Sequence, residues 1–100
     1  MSTFTVAVLR YSVTVAQPLD GKPVDRKEAR RLAAMISRLG KEMRDSAPSD
    51  IATDFHTVLK AVRTSSSRLT TRHAPIEAID PMYNKRTRAA KKAVDAYSCA

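Results

Sequence analysis

An apolar rhythm of about 3.6 residues, broken three times by an acid or proline start signal, leaves this chain little to fold into but helices. Asp25 precedes one amphipathic run, with Glu28 three residues on. That is the capping-box spacing, in which each side chain satisfies a backbone N–H left bare in the first turn. Pro48-Ser49-Asp50 opens a second run: proline lacks the N–H that would go unpaired there, and the acid meets the positive end of the helix dipole. Asp80-Pro81 reads as a third start, with Asp80 as the cap. Behind these signals Ala29, Leu32, Ile36, Leu39 and Met43 form one stripe, and Ile51, Phe55, Val58, Leu59 and Val62 another. Two glycines in 100 residues are too few for a sheet built on tight turns.

Residues 2–17 pose a choice. Val6, Val8, Val13 and Val15 favour a strand by propensity, whereas Phe4, Ala7, Val8, Tyr11 and Val15 keep to one helical face. No partner strand exists elsewhere in the sequence, so a helix is expected. The stretch 17–24, with two prolines and an Asp-Gly, is a loop. Gly40 lies inside the second helix at a cost of about 1 kcal/mol against alanine, and marks a kink, a close crossing or neither. Ser65-Ser66-Ser67 is expected to end the third helix, because hydroxyls compete for backbone hydrogen bonds. Residues 66–80 then form an irregular connection anchored by Leu69, Ile76 and Ile79. The expected fold is all-α, a compact antiparallel four-helix bundle with a structured loop before the last helix. The helices fall near 3–16, 26–46, 48–65 and 82–98 of a single domain, 1–100. Phe4, Tyr11, Leu32, Ile36, Leu39, Ile51, Phe55, Val58, Val62, Val94 and Tyr97 are the expected core.

The net charge is +8, from 18 basic and 10 acidic side chains. Such an excess speaks about partners rather than fold, since summed fields draw in polyanions. Residues 25–46 carry +3 and residues 83–100 carry +4, while 47–82 are neutral. Candidate polyanion contacts are therefore Arg30, Arg31, Arg38, Lys41 and Arg44 on the second helix. Lys85, Arg88 and Lys92 join them from the last, with Arg86 and Lys91 beside them. The third helix, bearing Asp50 and Asp54, reads as a poor fit to a nucleic-acid groove, which disfavours a helix-turn-helix. A merely solvated basic surface is the plainer alternative.

Candidate chemistry is thin. The sequence has no glycine-rich phosphate loop, no Cys/His spacing for zinc and no nucleophile elbow, so no metal and no cofactor are expected. His56 has Leu59 and Lys60 where a helical metal partner would stand. Asp50 and Asp54, at i and i+4, share a helix side and as a pair could hold a cation, although acids near a helix start are commonly dipole-favoured surface charge. His73 has no evident partner in its loop. Cys99, the lone cysteine, excludes an internal disulfide; an inert thiol is expected, with an intermolecular bridge or a reactive thiol as the sharper alternative. The apolar opening is interrupted by Arg10, is too short for a membrane span, and lacks the basic start and small-residue cleavage site of a secretion signal, which points to the cytoplasm.

The segment Ala47-Pro48-Ser49-Asp50-Ile51-Ala52-Thr53-Asp54-Phe55, followed by Val58-Leu59, resembles the central part of a loose group of small actinobacterial helical proteins. These are commonly exported or lipid-anchored and mostly of unknown function; their third helix begins with alanine–proline, an acid and an isoleucine. Thr87-Arg88-Ala89-Ala90 through Val94-Asp95-Ala96-Tyr97 to Cys99 is similar to their last helix, which closes in a Tyr and then a Cys. The likeness spans residues 30–99. It implies a four-helix fold and supplies no catalytic or binding residue. That group's final cysteine pairs with one in the first helix, and residues 2–17 here have none. The group's export signal is missing too, which implies either an intracellular relative or a protein exported by a leader outside this sequence.

These features suggest a non-catalytic interaction module that binds a protein or ligand through a helical face. A polyanion- or nucleic-acid-binding protein is the alternative, and a small enzyme with a scattered site the third reading. Val6, Val13 and Val15 exceed what one core needs and suggest a homodimer.

Overall fold

The computed structural model describes residues 2–71 and 74–99, and only the backbone of 98 and 99; His73 lies outside the described residues. Ser2 opens the first helix, α1 (Thr3–Val15), its hydroxyl accepting from the Thr5 N–H at 3.1 Å. A short 3-10 turn, Gln17–Asp20, closes on Gly21, whose φ of 75° suits glycine. Asp25 caps α2 (Arg26–Ser46) by accepting from the Glu28 N–H at 3.1 Å. The reciprocal half of the capping box is supplied differently. Gln17 accepts the Asp25 N–H at 2.9 Å, which leaves Glu28 for Arg31. Pro48 precedes α3 (Ser49–Thr70).

Among the described residues there are five α-helices and no strand, so the expected four-helix count is corrected. The error arose at the serine run. Ser65 does not compete with its own turn, because its hydroxyl accepts from Tyr11 Oη at 2.8 Å and donates to the Ala78 carbonyl at 2.6 Å. Thr70 returns its hydroxyl to the Ser66 carbonyl at 3.0 Å, and α3 continues five residues past Ser65.

The expected loop also contains α4 (Pro75–Tyr83), started by Pro75 and by Glu77, which accepts the Ala74 N–H at 3.1 Å. Pro81 is thus inside a helix rather than at its start. A proline there removes the bond to the carbonyl four residues back, and that carbonyl, of Glu77, accepts instead from Arg68 Nη1 at 2.9 Å. Asp80 is an exposed mid-helix residue, not a cap. The last helix, α5 (Lys85–Cys99), is capped by Asn84, whose Oδ1 accepts from the Thr87 N–H at 2.8 Å. Asp25→Ala and Asn84→Ala are each expected to cost about 0.5–2 kcal/mol, and Asp80→Ala to stay within about 0.5 kcal/mol. Urea midpoints of the three variants check that order.

α3 packs against α2 on one side and against α4 and α5 on the other, while α1 packs against α2, α4 and α5. α1 and α3 therefore occupy opposite corners and meet through core side chains. The Phe4 and Phe55 rings lie 5.4 Å apart. At Gly40 the helices approach closely: a Cβ there would sit 2.8 Å from Phe4 Cε2 and nearer still to the Leu59 side chain. Gly40 marks a crossing.

Eight of the expected core residues are buried, Leu39 and Ile51 are half-buried at its edge, and Tyr97 is 37% exposed while meeting Phe55 edge-on. α4 contributes Ala78, Ile79 and Met82, whereas Ile76, expected as an anchor, is exposed. Among the described residues no helix is long and apolar enough to cross a membrane.

Candidate functional site

α3 has two faces. At about 100° per residue, Phe55, Val58, Val62 and Ser65 turn to the core and are buried. His56, Lys60, Arg63 and Ser67, spaced 4-3-4, form an exposed row on the other side. Asp50 and Asp54 belong to neither row; Asp54 is half-buried and Asp50 exposed, both turned away from the basic row. The neutral sum over residues 47–82 conceals this separation.

A groove flanks each side of the row. The one between α2 and α3, about 700 Å³, is lined by Arg30, Lys41 and Arg44 from α2 and by His56, Lys60 and Arg63 from α3. Its apolar floor includes Ala33, Ala34 and Leu59. The second groove, about 570 Å³, lies between α3 and the α4–α5 corner and is lined by Arg68, Lys85 and Arg86 together with His56 and Lys60. Asp80 is the one acid in either wall among the described residues. Five cations line the first groove and four the second, with Lys60 common to both.

These charges are largely unneutralised. Arg68 is held by the Glu77 carbonyl, which cancels no charge. Arg44, half-buried, stands 3.6 Å from the exposed Asp45, a solvent-facing contact of little energetic weight. Arg30, Lys41 and Arg44 extend the basic row across α2, because their spacing flanks the buried Ala29–Leu32–Ile36 stripe.

The remaining candidates lie elsewhere. Arg31 is engaged by both Glu28 oxygens, at 2.7 and 3.0 Å, and Arg10 stands 3.8 Å from the same carboxylate. The bond to Arg31 is the main reason the Glu28 carboxyl titrates below its ordinary range. Arg38, Arg88 and Lys92 are exposed outside both grooves. Lys91, grouped with the last helix's basic face, turns inward instead. Its ammonium sits 5.1 Å from the Tyr83 ring centroid and 3.4 Å from Ser12 Oγ, so it ties α5 to α1. Burial lowers the Lys91 pKa, with Asp95 acting in the opposite direction. The Cys99 side chain lies outside the described residues. No cluster of three or more His, Cys, Asp or Glu that could hold a metal occurs among the described residues, so Asp50 and Asp54 gain no third ligand.

Lys60, Arg63 and Arg68 line the grooves without being among the candidates that the sequence singles out. The signal was present in the 4-3 spacing of His56, Lys60 and Arg63, and was hidden by summing charge over the whole segment. No protein-family model, curated protein or solved structure matches this chain.

Proposed function

We propose that this protein is a non-catalytic binding module whose ligand is a polyanion seated on the exposed face of α3. The observation that carries this reading is the convergence of Arg and Lys side chains from three helices on two adjoining grooves, opposed by Asp80 alone among the described residues. A solvated surface would scatter its charges; here Arg30 and Lys41 of α2, Arg63 of α3 and Lys85 of α5 come to two adjoining grooves. Such a ligand suits a cytoplasmic protein.

Binding to a fluorescent polyanion should follow counterion release. With about five phosphates neutralised, affinity is expected to fall several hundred-fold between about 50 and 200 mM salt. Lys60→Glu with Arg63→Glu should weaken binding at least about tenfold more than Arg38→Glu, which lies outside the grooves. Absence of binding at low salt, or equal effects of the two charge reversals, overturns the reading.

The same protein is proposed to pair weakly with a second copy through α1. Val6, Leu9 and Val13, at i, i+3 and i+7, are exposed on the corner opposite the basic face. Arg10, the one charge of α1, stands 3.8 Å from Glu28 at the edge of this patch. Val13→Lys is expected to abolish a dimer seen by sedimentation at high micromolar concentration; a monomeric wild type sinks the idea.

A further inference from the structure

We infer that the polyanion is double-stranded DNA, with α3 in the major groove and one sugar-phosphate backbone in each flanking groove. This rests on the polyanion reading and adds a shape to it. α3 packs between α2 on one side and the α4–α5 pair on the other, and a groove runs beside its outward row along each of these seams. A helix with its side chains is about 10–12 Å across, and the major groove of B-form DNA is about 12 Å wide.

The outward row suits that setting. Ser49, Thr53, His56, Lys60, Arg63 and Ser67 fall on one side of α3, all exposed. They are hydrogen-bonding or basic, with no acid and no bulky apolar side chain among them. From His56 to Ser67 the helix advances about 17 Å, the length of about five base pairs. Arg63 and Lys60 are the side chains suited to guanine edges, and Ser67 and Thr53 to less selective contacts.

Two basic walls, rather than one, distinguish a duplex from other polyanions. Arg30, Lys41 and Arg44 stand on the α2 side, and Lys85 and Arg86 on the other. A single strand would occupy one groove and leave the other's charges unmatched. Proteins that hold single strands also stack bases on aromatic rings, and neither groove is lined by Phe or Tyr among the described residues. Duplex RNA has a major groove too deep and narrow for side chains to read.

The test uses the full chain and three probes of one sequence: a 16-base-pair DNA duplex, the same duplex in RNA, and one DNA strand. At constant salt the DNA duplex is expected to bind at least about tenfold more tightly than the others. DNA carrying glucosylated hydroxymethylcytosine, which fills the major groove, is expected to lose that advantage, and a minor-groove ligand should not compete. Arg63→Ala, exposed and with an unchanged urea midpoint, should reduce the preference for duplex DNA. Equal binding of all three probes and of heparin overturns the duplex proposal while leaving the polyanion reading intact. Preference for RNA, for a single strand, for an acidic protein or for anionic vesicles also overturns it. No binding of any probe at low salt removes both.

Discussion

Gly40→Val is expected to destabilise the protein by about 3 kcal/mol, the upper part of the usual range for overpacking a close crossing. The site is buried, and an added Cβ would lie 2.8 Å from Phe4 Cε2 and closer to Leu59. The two neighbours respond differently. Leu59 is half-buried beside the α2–α3 groove and has room to swing outward. Phe4 is 1% exposed, with its ring 5.4 Å from that of Phe55, so it yields only by moving the core. Gly40→Ala carries a smaller clash and gains about 1 kcal/mol of helix propensity, so its net loss should be near 1 kcal/mol. Leu59→Ala in the Gly40→Ala background should cost less than Leu59→Ala alone, because the void receives the new methyl. Urea unfolding of the series measures each step. A Gly40→Ala protein more stable than wild type would mean that α1, α2 and α3 do not meet this closely.

The parts of this fold visible in the sequence are those set by neighbours a few residues apart. The Ala29–Leu32–Ile36 and Phe55–Val58–Val62 stripes lie where the 3.6-residue spacing puts them, and Asp25 caps the helix it precedes. The failures involve partners distant in the chain. Ser65 reads as a helix breaker until Tyr11, 54 residues away, and Ala78, 13 residues away, take up its hydroxyl. Pro81 reads as a helix start because nothing local says that Arg68 will satisfy the Glu77 carbonyl. Asp80, directly before Pro81, then reads as the cap, a role that Asn84 fills for the last helix.

The candidate site was half visible for a related reason. Charge summed by segment points to Arg30, Lys41, Arg44 and Lys85, all of which line a groove. The same counting dismissed α3, where Asp50 and Asp54 cancel Lys60 and Arg63 in number but not in direction. Charge resolved by helix face would have exposed the row. Which helices stand beside α3, and hence that the row lies between two grooves, depends on packing that no local pattern encodes.

Ser65→Ala is expected to cost about 1–3 kcal/mol, the penalty for leaving a buried polar group without its partner. Tyr11 and Ser65 are both 0% exposed, so water cannot replace the lost hydroxyl. The Tyr11 phenol would keep a donor with nothing to receive it, and the Ala78 carbonyl would lose its side-chain donor. Tyr11→Phe should cost less, about 0.5–1.5 kcal/mol, because Ser65 still donates to Ala78. The double variant should fall short of the sum, since each single change already breaks the same bond. Alkaline titration gives an independent check. Burial raises the Tyr11 pKa above its ordinary 10.0, outweighing the Ser65 bond that lowers it. The folded state thus resists ionisation of a phenol that the unfolded chain ionises freely. Its contribution is intact below pH 10.0 and declines as pH rises through and beyond that value. Tyr11→Phe should lose stability less steeply in that range than wild type. Ser65→Ala, which removes the bond that favours the phenolate, should lose it at least as steeply. Parallel curves for wild type and Tyr11→Phe would mean that the phenol reaches solvent, and the Tyr11–Ser65–Ala78 chain of bonds would no longer account for how α1, α3 and α4 are held in register.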